Sequence, residues 1–330
     1  MNEFSQYIKI IGRGKRAGRY LSQSEAYEAF TLLLSGQAEP EQIGAFLMLL
    51  RVREESAEEL AGFVQASRNF NSPALTQLQP DLDLGCYAGK RRHLPWFVLS
   101  VICLAQQGKA VFLHGTKEPD SNRLYLPQVF QQLGLPIASD EESAKHQLSK
   151  YGFVYCDLPI CNPQLEKLIQ MRSLFALRSP ANTLARMLNP SQAEHSFHGV
   201  FHKHFDQRHV ETARLMGDNK VSCIRGEGGE VEVNPERPFE HYQLRHSEIH
   251  QLSYPALLEN WQIKPRELNI EELEQLWTGQ SDSSYGEAAV VGTLANYLAL
   301  IGDMDVNQSL NQAKSIWQDR DKQPFSILFS

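Results

Sequence analysis

The 330-residue chain contains no apolar run of about 18 residues, so nothing in it predicts a membrane-spanning helix. Its five cysteines, at positions 86, 103, 156, 161 and 223, form neither a Cys-x-x-Cys pair nor a zinc-type spacing. That argues against a disulfide framework and predicts reduced, buried thiols. Internal repeats and low-complexity tracts are missing as well. The opening Met1-Asn2-Glu3-Phe4-Ser5-Gln6 lacks the basic-then-apolar pattern of a secretory leader, which points to a cytoplasmic protein without a membrane partner. Positive charge is in deficit: 32 Lys and Arg against 39 Asp and Glu give a net charge of −7. Such a balance repels phosphate and excludes a generic nucleic-acid binder unless the cations are segregated. Tryptophan is scarce, and Trp96, Trp261, Trp277 and Trp317 are scattered rather than arrayed. Core packing explains them better than base stacking.

What is present begins with segregated charge. Lys9, Arg13, Lys15, Arg16 and Arg19 follow one another with no acid between them, and Gly12, Gly14 and Gly18 resist a continuous helix. The run is either a phosphate-binding arm or a solvated helix end that balances an acidic neighbour. From Ser22 the pattern becomes helical, with Glu25 completing a capping box and Tyr27, Phe30, Leu33 and Leu34 repeating up to Gly36. A second helix starts near Pro40 and carries Ile43, Phe46, Leu47 and Leu50; a third follows Ser56, whose box partner is Glu59. Beside Leu60 and Phe63, this apolar face exceeds what so small a bundle buries alone, which predicts a homodimer interface; packing within the subunit is the alternative.

After Pro73 and Pro80 the texture changes to short apolar runs between turns and helices. Leu82 to Leu84, Ala110 to Leu113, Phe153 to Cys156, Gly199 to Phe201 and Val221 to Ile224 read as strands of an α/β arrangement, so ligands are expected beyond their carboxyl ends. Leu165, Leu168, Met171, Leu174 and Phe175 restore helical spacing. The expected organisation is a helical bundle over residues 1–72, rejoined by a segment near 160–188, and an α/β domain over 73–330 with a central mixed or mostly parallel sheet.

The block Leu32 to Gly62, LLLSGQAEPEQIGAFLMLLRVREESAEELAG, resembles the helical domain of the anthranilate phosphoribosyltransferase family. The resemblance continues through Asp83-Leu84-Gly85, where the family's Gly-Thr-Gly-Gly-Asp pyrophosphate loop is represented by Gly85, Cys86, Tyr87, Ala88 and Gly89. It extends to His114-Gly115, to Met171-Arg172 through Arg178 and Asn182-Thr183-Leu184, and to Gly286-Glu287-Ala288-Ala289. The family implies substrate-pocket positions at Gly85, His114, Gly115, Arg123, Arg178 and Asn182, with Arg178 matching the arginine that holds an aromatic carboxylate. It also implies magnesium on an Asp-Glu pair. Among its members the chain is most similar to the YbiB-like subgroup, which keeps the fold and binds nucleic acid without marked sequence preference. Ile11-Gly12-Arg13-Gly14-Lys15 and GEGGEVEVNPER from Gly226 to Arg237 carry that likeness.

Three departures weigh against the parent reaction. Tyr87 and a β-carbon at Ala88 obstruct a loop in which glycines permit backbone approach. Thr116 to Arg123 places Glu118 and Asp120 near the expected phosphates, and Gly229 stands where the magnesium aspartate belongs, leaving Glu230 alone. What remains is a groove with cations on both walls: Lys90, Arg91 and Arg92 on the first loop, Arg172 and Arg178 on the hinge, and Lys203 beyond the Gly199 strand. With the basic arm, these predict electrostatic nucleic-acid binding, DNA being the expected partner and no cofactor being required. A transferase on another substrate, which would need magnesium, and an enzyme-derived scaffold with a different ligand are the competing readings. His195, His198, His202, His204 and His209 also cluster; alternation of His202 and His204 would place two ligands on one strand face, but Lys203 between them disfavours a metal.

Overall fold

The computed structural model describes residues 3–14 and 17–330, so Lys15 and Arg16 of the basic run lie outside the described residues. Four helices come first: α1 (Ser5–Gly12), α2 (Gln23–Leu34), α3 (Pro40–Arg53) and α4 (Ala57–Arg68). Ser22 and Ser56 cap α2 and α4 by accepting from the Glu25 and Glu59 amides in reciprocal boxes, and Pro40 opens α3. Phe46, Leu47, Leu50, Leu60 and Phe63 are all fully buried within the chain. Phe4, at the start of α1, covers Phe46 edge-on at 5.2 Å. The apolar face read as a dimer interface is therefore largely core, with Ile43 half-buried, because α1 closes over it with Phe4, Tyr7 and Ile11.

The remaining chain runs β1 (Leu82–Cys86), α5 (Phe97–Gln106), β2 (Val111–Gly115), α6 (Leu126–Leu133), α7 (Glu141–Tyr151), β3 (Phe153–Asp157), α8 (Leu158–Cys161), α9 (Pro163–Gln170), α10 (Arg172–Phe175) and α11 (Ala181–Leu184). It continues through β4 (His195–Val200), α12 (Phe205–Met216), β5 (Val221–Arg225), β6 (Phe239–Arg245), β7 (Glu248–Tyr254), α13 (Glu271–Thr278), α14 (Ser284–Ile301) and α15 (Val306–Asp319). The seven strands form one sheet in the order β3-β2-β1-β4-β5-β6-β7. The first five are parallel; β6 and β7 pair antiparallel through a turn in which His246 and Ser247 have φ of 49° and 65°. That left-handed pair suits the twist of a two-residue hairpin.

Alternation along the strands feeds two cores. Val111 and Leu113 join the cluster under α5, α13 and α14, whereas Phe112 and Val154 face the cluster shared by α1–α4, α8, α9 and α11. Burial on both faces is what the short, apolar parallel strands require. Chain order reverses between β1 and β4, which pair directly with Leu82 opposite His195. Their carboxyl ends consequently open at a topological switch point, where open α/β sheets bind ligands. All five cysteines are free and buried. Among the described residues no helix is long and apolar enough to cross a membrane.

Candidate functional site

The site grows from the segment after β1. Tyr87 turns inward rather than across the loop: it is buried, and its hydroxyl is hydrogen-bonded to His114 Nδ1 at 2.6 Å. From there a buried polar chain crosses the sheet. His114 Nε2 lies 3.3 Å from Asp83 Oδ1, which accepts from Ser196 Oγ at 3.2 Å; Ser196 Oγ is bonded to His198 Nε2 at 3.0 Å, and His198 Nδ1 faces His209 Nδ1 at 3.4 Å. Burial, with the neighbouring His209, drives the His198 pKa well below the imidazole range. Burial, aided by Arg186 and Arg208, pushes His209 down to about 3. Both rings are neutral.

His114, Gly115 and Gly85 are thus buried, His114 within this polar chain and the two glycines against neighbouring backbone. A β-carbon on Gly115 would fall 2.4 Å from the Cys86 carbonyl, and one on Gly85 would fall 2.8 Å from Arg186 Cα. Those glycines allow close backbone packing. His202 and His204 do not share a strand face either. They sit in the turn after β4, where His204 adopts φ of 72° ahead of α12, so the alternation that suggested paired ligands does not form.

The backbone of the loop is already engaged. Gly89 N donates to Glu230 Oε1 at 2.6 Å, while the Ala88 carbonyl accepts from Arg123 Nη1 at 3.0 Å and Arg178 Nη2 at 3.3 Å. Lys90 pairs its backbone with Leu124 in both directions, at 2.7 and 2.8 Å. Glu230 is buried; burial raises its pKa although Arg186 and the loop amides pull the other way, and its Oε2 has no partner.

Lys90 does not project into the groove as a phosphate contact. It is 2% exposed, and its ammonium lies 2.5 Å from Glu227 and 2.6 Å from Glu232, acids contributed by a distant part of the chain. Burial opposes its charge, but Glu232 and Glu227 together overcome that and raise its pKa. Glu232 in turn is pushed up to about 7 by burial, with Lys90 working against the rise.

These contacts also bear on magnesium. Gly229 supplies no carboxylate, Glu230 gives one oxygen to Gly89 and leaves Oε2 unpartnered, and Glu227 and Glu232 share a single ammonium. Magnesium takes one or two free carboxylates beside substrate phosphates. At the matching pair the residues present fit the ion poorly, with Glu230 Oε2 the one buried oxygen of the Glu227, Glu230 and Glu232 carboxylates without a partner among the described residues.

Opposite the loop stands Glu118, 1% exposed. Arg178 Nε lies 2.8 Å from its Oε1, and Arg178 Nη2 donates to Oε2 at 2.8 Å. Asn182 Nδ2 donates to Oε1 at 2.6 Å, Tyr125 approaches Oε2 at 3.3 Å, and Arg172 completes the set. Arg172, Arg178 and Asn182, singled out by the family resemblance, do converge, but on a carboxylate of the chain itself. Arg123, bound to the loop carbonyls, has its pKa lowered by burial and by Arg178.

The free charge lies at the rim. Arg91, Arg92 and Lys203 are exposed, with no ion pair among the described residues. Phe201, 64% exposed, follows β4 beside Lys203, and a β-carbon on Gly229 would lie 3.1 Å from Phe201 and 3.5 Å from Ala88, which ties this rim to the loop. Arg13 is exposed just past α1, and Arg19 is clasped by Glu25 at 2.7 and 2.6 Å. Among the described residues no hydrogen bond or ion pair joins either to the groove. Sequence reasoning places Glu118 near the phosphates without showing which cations it claims, and it misses the Lys90 acids altogether.

Residues 6–70 match the helical bundle domain of the glycosyl transferase family. The chain is 25% identical over 277 residues, 81% of each chain, to the anthranilate phosphoribosyltransferase of Geobacillus sp. (strain WCH70). To the uncharacterized protein YbiB of Escherichia coli (strain K12) it is 27% identical over 242 residues, 71% of this chain and 74% of that one. The crystal structure of anthranilate phosphoribosyltransferase (TrpD) from Thermus thermophilus superposes with a TM-score of 0.78 at 18% identity, covering 100% of this chain and 97% of that one.

Proposed function

We propose, for a chain that belongs to the anthranilate phosphoribosyltransferase family, that its groove binds nucleic acid through phosphate contacts rather than transferring a phosphoribosyl group. The observation that carries this reading is the double occupation of the small-molecule seats by the chain's own carboxylates. Glu118 fills the guanidinium clamp of Arg172 and Arg178, and Glu230 takes the Gly89 amide, while Arg91, Arg92 and Lys203 stay exposed on the same rim. A pyrophosphate leaving group needs free loop amides and a metal to stabilise its developing charge. Phosphodiesters at the rim need only accessible cations.

DNA is the proposed partner and the cytoplasm the proposed location. A homodimer is proposed on the family likeness alone, since the helix face offered for it is largely buried. The competing reading, transfer to another acceptor, draws on the likeness to phosphoribosyltransferases across 81% of the chain and on the retained Arg178 and Asn182. Titration of a labelled oligonucleotide at two salt concentrations, beside an assay with anthranilate, phosphoribosyl pyrophosphate and magnesium, separates the two. Binding that weakens linearly in log–log terms with salt, without turnover, is expected. Absent oligonucleotide binding, or turnover on the order of 1 per second, overturns the reading.

A further inference from the structure

We infer that Glu118 is a built-in competitor that keeps small anions out of the groove and yields only to a polyanion. The nature of that polyanion rests on the nucleic-acid reading above. Two guanidinium groups, an amide and a phenol surround the Glu118 carboxylate, and the same donors suit any carboxylate or phosphate oxygen. Nothing in their chemistry selects Glu118 over a solute. Its advantage is the tether.

The segment from Thr116 to Arg123 joins β2 to α6 and is fixed at both ends. Thr116 Oγ1 donates to Glu166 at 3.0 Å, Gln170 donates to the Lys117 carbonyl at 3.2 Å, and Arg123 grips Ala88. Its middle, with Lys117, Asp120 and Asn122 exposed, borders solvent, and Asp120 takes φ of 52°. A carboxylate on so short an arm competes at an effective concentration of millimolar or more, so a free monoanion at similar concentration gains little ground. A strand already held by Arg91, Arg92 and Lys203 presents its next phosphate at a comparable effective concentration and meets Glu118 on equal terms. Exchange frees Glu118 into water, where its charge is solvated, and enlists Arg172 and Arg178 as phosphate contacts.

The test pairs Glu118→Gln with Glu118→Asp, which keeps the charge and shortens the arm, each checked for folding by circular dichroism. Calorimetry with inorganic phosphate and with benzoate is expected to give affinities about tenfold or more above wild type for Glu118→Gln, the equivalent of one charge-assisted hydrogen bond, with Glu118→Asp between. Oligonucleotide binding by Glu118→Gln is expected to tighten at low salt. Should neither variant fold, Arg172→Ala in the wild-type chain decides: displacement of Glu118 by DNA requires the salt slope to fall by about 0.9 for a duplex contact, whereas a purely structural Glu118 pair leaves it unchanged and overturns the inference. Wild-type oligonucleotide binding with no gain for phosphate or benzoate in Glu118→Gln overturns the competitor alone. No oligonucleotide binding by any form overturns the nucleic-acid reading and polyanion exchange together.

Discussion

Lys90→Met removes the ammonium shared by Glu227 and Glu232 while keeping an unbranched side chain of similar length. Stranding one side of a buried ion pair costs about 3–5 kcal/mol. Protonation limits the damage here. Glu232 already sits at about 7 beside Lys90, so in the variant, with the cation gone, its pKa climbs further and the carboxyl takes up a proton at neutral pH. The low end, about 3 kcal/mol, is therefore expected at pH 7, a fall in melting temperature of roughly 4 °C for a chain of this size. A carboxyl whose folded pKa exceeds its unfolded one contributes most below the unfolded value and loses stability as pH rises. Wild-type loss saturates just above 7, whereas the variant continues to lose about 1.4 kcal/mol per pH unit until its own higher pKa is passed. Thermal melts at pH 5, 7 and 8.5 would read this as a gap that is narrow in acid and widens in base. A melting temperature within about 2 °C of wild type at every pH would refute the buried pairing. So would a fall of about 1 in the oligonucleotide salt slope for the folded variant, since that would make Lys90 a phosphate contact after all.

Arg91→Ala with Arg92→Ala is expected to leave melting unchanged and lower the duplex salt slope by up to about 1.8, measured by anisotropy across a salt series; an unchanged slope places the phosphates elsewhere. Glu55, buried behind α3, is pushed up to about 7, chiefly by burial with the charge of Glu59 adding and Arg208 and Arg53 opposing. Its raised pKa makes the ionised form a liability that grows from about pH 4.5 to 7 and then holds. Glu55→Gln is accordingly expected to stabilise by up to about 3 kcal/mol at pH 8 and to have no effect near pH 4.5, as read from denaturation midpoints; equal effects at both would refute the assignment.

Local rules carry much of the architecture. The Ser22–Glu25 and Ser56–Glu59 boxes and Pro40 mark helix starts because capping is settled within four residues. The parallel strands are visible as short apolar runs, although β4 begins at His195, well before Gly199, because its histidines and serine hide a buried strand in polar letters. The β6–β7 hairpin escapes for a similar reason: Glu240, His241, Gln243, His250 and Gln251 dilute the alternation. Charge is the harder part. Lys90, Arg91 and Arg92 are consecutive and look equivalent, yet one is buried and two are exposed. The difference arises from acids at positions 227 and 232, and no spacing rule reaches so far. The same holds for Tyr87, whose inward turn depends on a histidine from the neighbouring strand.

That inward turn makes the loop hard to unmake one residue at a time. Trading Tyr87 for the glycine of a pyrophosphate loop would empty a phenol-sized volume, at about 3–5 kcal/mol by analogy with aromatic truncations, and strand His114 for about 1–3 more. Against a typical total stability of about 5–15 kcal/mol, the first step toward a catalytic loop would consume much of the margin before any substrate contact was gained. Glu230 and Glu118 would still hold the seats. The loop is thus separated from a glycine-rich pyrophosphate loop by a ridge of poorly folding intermediates as well as by its missing glycines.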